Sequence, residues 1–363
     1  MTIYLDYQAT TPLAPEAFDA MVPLLRDQFA NPHSAHRLGR AAAAQVELAR
    51  EEVIRLLPHG GRLIFTSGAT EALNLAILGA PAGDIVTLAT EHAAVLDTVS
   101  ALGTRGRRVT ILPVSSDGLV DLDAAEAAIK PGVGLVAAML VNNEIGVIQP
   151  VDKLAALAHR AGALFLCDAV QGYGRVPIPD SCDLIAISAH KIHGPKGVGA
   201  LWIRDEVKLE PVMYGGGQEA GLRSGTLSPA LCAGFGVAAR LMRERAKQDH
   251  AHVEALWRQA RDLFDTWSLN GGADARYRGN LNIRRAGIDG ARLLSDCRNV
   301  AFSLGSACAS GSGRPSHVLR AIGLSEREAR GSVRIGFGRY TTPAELESAA
   351  KIINDAAAVQ AAP

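Results

Sequence analysis

A lysine follows an apolar run in the middle of the chain, and its position suggests amine chemistry. Residues 184–187 have the composition of a short buried strand, and Lys191 comes shortly after them, ahead of a loop with Gly194 and Pro195. Burying an ammonium group is unfavourable unless it is paired or used covalently. Only seven of the 37 basic residues are lysines. Because a desolvated lysine can form a Schiff base and an arginine cannot, Lys191 is the candidate for covalent chemistry, with Lys196 as the alternative.

A possible anion site lies in residues 66–71, TSGATE, between a predicted strand and a predicted helix. Glycine, a small residue and a hydroxyl at a helix N-terminus can hold a phosphate, because the N–H groups there are free and the helix dipole favours negative charge. The alternative is an ordinary helix start in which Ser67 or Thr70 is the N-cap residue. The spacing is not that of a nucleotide P-loop.

Two more predicted strand ends carry groups that suit a pyridine ring. Asp168 follows predicted strand 164–167, where an acid could keep a pyridine nitrogen protonated or act as a cap or metal ligand. Gln171 could donate to a phenolic oxygen of the ring. His92 could stack on the ring, although a lone histidine there is often only structural. With Lys191 and the phosphate site, these groups predict pyridoxal phosphate as the cofactor.

Cys308 lies in a loop of small residues, 303–313, and is the candidate nucleophile. A thiol on a mobile loop can reach a substrate and then leave with its product. The alternative is a Gly/Ser linker in which the cysteine only fills space. The other cysteines occur in strand, helix or connecting patterns, where a structural role is expected: Cys167, Cys182, Cys232 and Cys297.

The elements that must position these groups alternate between strand and helix. This alternation predicts a mostly parallel sheet with helices on both faces. Residues 184–187 and 198–203 are strands with no helix between them, so we expect one antiparallel strand in a mixed sheet. The other predicted strands of this sheet are residues 62–66, 85–89, 109–113, 134–140 and 164–167.

The segments outside this alternation predict a second, smaller α+β domain. An Ala- and Arg-rich stretch from residue 226 to about residue 267 is typical of one long helix. Residues 12–57 are predicted to be helical and to pack on the small domain. We therefore expect a large cofactor-binding domain over residues 12–245 and a small domain over residues 246–363 that carries the Cys308 loop.

Composition narrows the class of protein. Acidic and basic residues balance at 37 each, which predicts no nucleic-acid partner and no anionic membrane surface. The N-terminus lacks the pattern of a signal peptide, and no apolar stretch reaches the roughly 20 residues that cross a bilayer. Five cysteines without CxxC or metal-ligand spacing favour reduced thiols, a cytoplasmic location and no metal.

Short motifs occur in order along nearly the whole chain: YLDY at 4–7, ATTP at 9–12, NPHSAH at 31–36, TSGATE at 66–71, TEH at 90–92, NNEIG at 142–146, DAVQ at 168–171, SAHKIHG at 188–194, RSGT at 223–226, SLGSACASGS at 303–312 and SVR at 332–334. In these motifs the chain resembles cysteine desulfurases of the NifS/IscS type, within the class V aminotransferase family. The resemblance implies an α/β protein of the pyridoxal phosphate-dependent transferase fold type I.

The resemblance also implies how the cofactor is held. Lys191 would bind it covalently, Asp168 would pair with the pyridine nitrogen, and Gln171 would pair with the ring oxygen. His92 would stack on the ring and move protons. The residues implied to hold the phosphate are Ala69, Thr70, Ser188, His190 and Thr226 of the partner subunit. The chain would therefore form a homodimer with shared active sites.

For the substrate, the resemblance implies that Asn143 and Arg334 hold the carboxylate of L-cysteine, with Asn143 also near the cofactor and Asn31 assisting. Cys308 would attack the substrate sulfur, leaving a Cys308 persulfide and L-alanine. Gln8 stands where small or Asn-like residues are common in the family, and little effect is expected from this difference.

The resemblance says less about which acceptor receives the sulfur from Cys308. The full-length loop after Cys308 implies direct transfer to an acceptor for iron–sulfur cluster or thio-cofactor synthesis. The chain stops soon after a helix predicted near residues 345–359, without the longer tail that some members use to dock a scaffold protein. Alternatives are a selenocysteine lyase, another class V pyridoxal phosphate enzyme, or a non-enzymatic sulfur carrier. A metal site on His190, His193 and Cys308 would lack a recognised ligand spacing.

Overall fold

The computed structural model describes residues 2–304 and 316–361. Its strands are β1 (Ile3–Tyr4), β2 (Gly61–Thr66), β3 (Asp84–Leu88), β4 (Val109–Leu112), β5 (Val133–Met139), β6 (Leu164–Asp168), β7 (Leu184–Ser188), β8 (Gly199–Arg204), β9 (Ser268–Leu269), β10 (Asn280–Arg284), β11 (Val300–Ala301) and β12 (Ser332–Gly336). Its helices are α1 (Pro15–Arg26), α2 (Arg37–Ile54), α3 (Ala69–Gly79), α4 (Ala93–Gly103), α5 (Leu122–Ala128), α6 (Val151–Arg160), α7 (Pro229–Glu244), α8 (Ala246–Leu263), α9 (Gly290–Asp296), α10 (His317–Ala321), α11 (Glu326–Arg330) and α12 (Pro343–Ala361).

The large sheet has seven strands in the order β2-β8-β7-β6-β5-β3-β4. Strand β8 pairs antiparallel with both β2 and β7, and the other pairs are parallel. The predicted mixed sheet with one antiparallel strand is therefore confirmed. All five residues of β7 are buried, as expected for a central strand covered on both faces.

Parallel strands bring their carboxyl ends to one edge of the sheet, where ligands bind in such folds. Strand β6 ends at Asp168, and β7 ends at Ser188, from which a short 3-10 turn, Ala189–Lys191, continues. His92 is the N-cap residue of α4, which follows β3. The loop from β2 leads to α3 at the same edge. Features that are local in the sequence thus place Asp168, Lys191 and His92 at one edge of the sheet.

Helices α1 and α2 pack against α7, although residues 12–57 were expected to pack on the small domain. Met21 and Leu24 of α1 cluster with Ala230. A Cβ atom at Gly236 would lie 2.8 Å from the Cα atom of Ala49, so α2 and α7 approach closely because residue 236 is glycine. The predicted long helix is two helices, α7 and α8, interrupted at Arg245.

The C-terminal region has its own three-stranded antiparallel sheet, β12-β10-β9, and a separate hydrophobic cluster. The cluster combines side chains of this sheet with those of α8 and α12, including Leu256, Leu281, Ile335 and Ile353. Strand β1 joins this region by pairing with β11. No helix within residues 2–304 and 316–361 is both long and apolar enough to span a membrane.

Candidate active site

A cavity of about 460 Å³ lies at the carboxyl edge of the large sheet. This volume is within the range of small-molecule sites. The cavity is lined by ten of the residues selected from the sequence: Ala69, Thr70, His92, Asn143, Asp168, Gln171, Ser188, His190, Lys191 and Arg334. Groups from segments far apart in the chain therefore face one space.

Three predicted site residues are not among those that line this cavity. Asn31 is exposed, and its Oδ1 accepts a hydrogen bond from the backbone N–H of His33 at 2.9 Å. Thr226 is exposed in the loop before α7. Cys308 lies outside the described residues. The roles implied for these three residues stay predictions.

Lys191 is partly buried, and its Nζ donates to the backbone carbonyls of Gln8 at 2.6 Å and Ala9 at 2.8 Å. Burial lowers the pKa of the Lys191 amine to about 8, and the nearby charge of Arg334 acts in the same direction. A lowered pKa is what imine chemistry near neutral pH requires of a lysine. Lys196 also lines the cavity, but its side chain is exposed.

Burial shifts the pKa of both Asp168 and His92. Desolvation raises the pKa of the Asp168 carboxyl, whose Oδ1 accepts from the N–H of Val170 at 3.0 Å. Desolvation lowers the pKa of His92. Because His92 Nδ1 accepts from the N–H of Ala94 at 3.1 Å, the proton of the neutral ring is on Nε2. His92 therefore caps α4 and also lines the cavity.

Helix α3 begins without a side-chain N-cap hydrogen bond. Its N-cap residue is Gly68, and neither Ser67 nor Thr70 makes a capping hydrogen bond. Instead, Glu71 Oε2 accepts from the N–H of Ser67 at 2.7 Å, and Glu71 pairs with Arg223 at 2.5 Å. The first N–H groups of a helix have no intrahelical acceptor, so those of α3 are available to an anion in the cavity.

Beside this anion site lie two more of the predicted phosphate ligands. Ser188 is buried at the end of β7. His190 Nδ1 lies 3.1 Å from Thr10 Oγ1, and burial lowers the pKa of His190 to about 4. Near neutral pH His190 is therefore an uncharged ring that offers hydrogen bonds rather than a positive charge.

Arg334 is the only cation of β12, and its side chain is 1% exposed. Its Nη2 donates to Asp6 Oδ1 at 2.7 Å, and its Nη1 donates to the carbonyl of Asn143 at 3.0 Å. Its Nε has no hydrogen-bond acceptor within the described part of the chain. A guanidinium has five N–H donors, so Arg334 retains donors for a substrate carboxylate.

Sequence reasoning gave Gln8 no role, yet its backbone is central to the site. The Gln8 carbonyl accepts from Lys191 Nζ at 2.6 Å and from Gln171 Nε2 at 2.9 Å. The buried side chain of Gln8 donates to the carbonyl of Gly279 at 2.9 Å. The available signal was its position between the motifs at 4–7 and 9–12. A backbone contact leaves little other trace in residue type.

The four other cysteines are buried free thiols, which agrees with the structural role expected for them: Cys167, Cys182, Cys232 and Cys297. Burial raises the pKa of Cys232 to about 12, which keeps this thiol protonated and weakly nucleophilic. Among residues 2–304 and 316–361, no group of three or more His, Cys, Asp and Glu side chains is arranged to hold a metal ion.

Comparisons with known proteins agree with this geometry. The aminotransferase class-V family profile matches residues 3–348. "Cysteine desulfurase IscS" of Rickettsia bellii is 43% identical over 97% of this chain and 90% of its own length. "Probable cysteine desulfurase, mitochondrial" of Schizosaccharomyces pombe is 44% identical over 96% of this chain and 72% of its own length.

Solved structures show the same architecture. A "NifS-like protein" superposes with a TM-score of 0.90 at 31% identity, over 98% of this chain and 99% of that one. A structure titled "SspA in complex with cysteine" has a TM-score of 0.80 at 34% identity, over 94% of this chain and 100% of that one. The fold is thus that of the NifS-like, pyridoxal phosphate-dependent transferases. The chain belongs to the aminotransferase class-V family, in the group of the cysteine desulfurases.

Proposed function

We propose that this protein is a cysteine desulfurase that uses pyridoxal phosphate to move the sulfur of L-cysteine onto Cys308. The observation that carries the proposal is one cavity in which the Lys191 amine, with its pKa lowered to about 8, lies with a buried acid and an anion site. The printed names of the relatives support the reaction, and the relative solved with cysteine supports the substrate.

The residues of the cavity fit pyridoxal phosphate. The N–H groups at the start of α3, with Ser188 and His190, would hold the phosphate. Asp168 would face the pyridine nitrogen, where a cation would offset the unfavourable burial of the carboxylate. Gln171 would donate to the ring oxygen, and His92 would stack on the ring. When bound, the cofactor supplies an aldehyde for the lysine and a ring that accepts negative charge.

The chain's own groups would act on the substrate in turn. Arg334 and Asn143 would hold its carboxylate and so orient the Cα atom. Lys191, once released, would take the Cα proton, because an amine with a pKa of about 8 is partly neutral near neutral pH. His92 would carry protons between the cavity groups and the product.

Cys308 would complete the transfer as a thiolate. A new S–S bond forms between Cys308 Sγ and the substrate sulfur while the C–S bond of the substrate breaks. The electron pair of the broken bond stays with the carbon fragment, which takes up protons and leaves as L-alanine. The outer sulfur of the persulfide would then pass to an acceptor protein of iron–sulfur or thio-cofactor synthesis, in a cytoplasmic setting.

A homodimer with shared sites belongs to this proposal. Tyr214 is 82% exposed, and Met213 beside it accepts a hydrogen bond from the N–H of Ser224, two residues before Thr226. Phe18 of α1, the helix that packs on α7, is 54% exposed. Exposed large apolar side chains of this kind support a second copy of the chain covering them. Size-exclusion chromatography with light scattering tests this, and a monomer at micromolar concentration would contradict it.

The domain assignment is also part of the proposal. We assign cofactor binding to residues 12–245 and the nucleophile loop to residues 246–363. Separate hydrophobic clusters around the seven-stranded and three-stranded sheets support this division.

The function is tested by two substitutions. Lys191→Ala should yield a colourless protein without turnover. Cys308→Ala should retain the yellow cofactor yet release no sulfide from L-cysteine in the presence of a reductant, and Cys297→Ala, at a buried free thiol, is the matched control. Sulfide and alanine are both quantified. Normal sulfide release by Cys308→Ala would overturn the nucleophile assignment, and turnover by Lys191→Ala would overturn the cofactor chemistry.

A further inference from the structure

Arg175 connects two residues of the active site without lining the cavity. It lies in the turn that follows β6, where its N–H bonds to the carbonyl of Gly172 at 2.8 Å. Its Nη1 donates to Gln171 Oε1 at 3.0 Å, and its Nη2 donates to the backbone carbonyl of Lys191. It lines a separate cavity of about 100 Å³ and is not among the residues that line the cavity of about 460 Å³ around Lys191.

The chemistry of the donors decides how the Gln171 amide is oriented. A guanidinium carries only donors, so the atom of Gln171 that faces Arg175 must be the oxygen. The carbonyl of Gln8 carries only acceptors, so the atom 2.9 Å from it must be the amide nitrogen. Both ends of the amide are therefore specified by partners of opposite type. Because Gln8 lines the cavity at the carboxyl edge of the sheet and Arg175 does not, the nitrogen, a donor, is the end of the Gln171 amide on the cavity side.

These contacts form a closed network of four residues. Lys191 Nζ and Gln171 Nε2 both donate to the Gln8 carbonyl, while Arg175 donates to Gln171 Oε1 and to the Lys191 carbonyl. The guanidinium also lies over the Tyr277 ring, with 5.1 Å between Cζ and the ring centroid. Contacts on three sides hold the planar group in one orientation.

We propose that Arg175 is a positioning residue of this site: it holds the Gln171 amide with its nitrogen toward the cavity and anchors the backbone of Lys191. The inference deepens the proposed function and rests on it for the identity of the ring that Gln171 would contact. The role of Arg175 toward Lys191 needs no cofactor. Neither the sequence motifs nor the comparisons assign a role to Arg175.

The positive charge of Arg175 has a separate effect on the Lys191 amine, which it shares with other groups. Arg175 contributes to the lowered pKa of Lys191, after burial and Arg334. The remaining titratable or charged groups that interact with Lys191 are Asp6, Asp168, His92 and His190. Removing the charge at position 175 while these groups stay in place should raise the pKa of the amine.

The test uses the variants Arg175→Met and Arg175→Lys. The control is Arg105→Met, because Arg105 is an exposed residue in a turn. The apoproteins are labelled with acetic anhydride across a pH series, and the acetylation of Lys191 is followed by mass spectrometry. Arg175→Met should move the Lys191 midpoint to higher pH. Arg175→Lys retains the charge and should stay near the wild-type midpoint. It also keeps the inference testable if the methionine variant does not fold.

A second measurement reports on the Gln171 amide. The dissociation constant of pyridoxal phosphate should rise about 3- to 10-fold in both variants, as for the loss of one oriented hydrogen bond. Unchanged midpoint and unchanged cofactor affinity in Arg175→Met would overturn the inference. If the wild type bound no pyridoxal phosphate while the midpoint still shifted, the proposed function would fail and the effect of Arg175 on Lys191 would stand.

Discussion

Asp6 Oδ1 lies 2.7 Å from Arg334 Nη2, and this ion pair joins residues 328 positions apart in the sequence. The Arg334 side chain is 1% exposed, and that of Asp6 is 18% exposed. A buried arginine needs a charged partner, because an isolated ion is poorly solvated away from water. The pair holds Arg334 at the cavity wall and balances part of its charge, while further N–H groups of the guanidinium stay available.

Replacing Asp6 should therefore weaken the binding of substrate more than the chemical step. In Asp6→Asn we expect the KM for L-cysteine to rise about 3- to 10-fold with a smaller change in kcat, because the hydrogen bond that Arg334 donates then goes to a neutral amide oxygen and is weaker. Steady-state kinetics of sulfide release measures this. Asp123→Asn, at an exposed acid in the first turn of α5, is the control. An unchanged KM would show that Arg334 holds its position without Asp6.

The pKa of Lys191 predicts how fast the apoprotein takes up its cofactor. Only the neutral amine attacks an aldehyde, and the pKa of Lys191 is about 8 instead of the ordinary 10.5. The rate of pyridoxal phosphate incorporation should rise as the pH passes through about 8 and then level off. Stopped-flow absorbance follows the reaction. Lys191→Arg should show no such absorbance change at any pH, because an arginine forms no imine. A rate that is still rising at about pH 10 would contradict the assignment.

We expect His193 to lower the free energy of unfolding of the protein in acid. Its Nδ1–H donates to the carbonyl of Pro12 at 3.0 Å, and burial lowers its pKa from 6.5 to about 3. Between these two values the unfolded chain binds a proton that the folded chain does not, so the free energy of unfolding falls as the pH drops through this window. Above about 6.5 the contribution is fully present.

Substituting His193 should make that pH dependence shallower. Asparagine is the replacement of choice because residue 193 has a φ of 68°, a region that asparagine tolerates. Urea unfolding of His193→Asn at about pH 7 and about pH 4.5 should show a smaller difference in the free energy of unfolding than the wild type. His59→Asn, at an exposed position, should retain the wild-type difference. Equal slopes in both variants would count against His193.

Gly199 permits the close approach of β8 to the anion site. A Cβ atom there would lie 2.7 Å from the carbonyl carbon of Gly68 and 2.7 Å from the carbonyl oxygen of Ile187. Because both are backbone atoms, Gly199→Ala should displace the start of α3 and speed the dissociation of pyridoxal phosphate several-fold. Gly103→Ala meets only a side-chain methyl at 3.7 Å and is the matched control. Equal dissociation rates would show that the loop tolerates the displacement.

Much of the site was predictable because strand ends are local features. The apolar run before Lys191 and the strand before Asp168 predicted that both would lie at the carboxyl edge of one sheet, and the sheet order confirms this. The helical boundary at Arg245 was not predicted, because continuous apolar periodicity on both sides concealed one non-helical residue. The packing of α1 and α2 on α7 depends on close helix contacts that amphipathicity alone does not assign to a partner.

The amino-acid sequence by itself determined the reactive inventory of this protein: an amine, an acid and an anion site, each next to a strand end whose local pattern specifies it. Only the tertiary structure decided which distant groups reach them. The Gln8 carbonyl meets Lys191 and Gln171, and Asp6 holds Arg334. The physical reason is that periodicity encodes the environment along one strand or helix, whereas contacts between segments more than a hundred residues apart arise from packing.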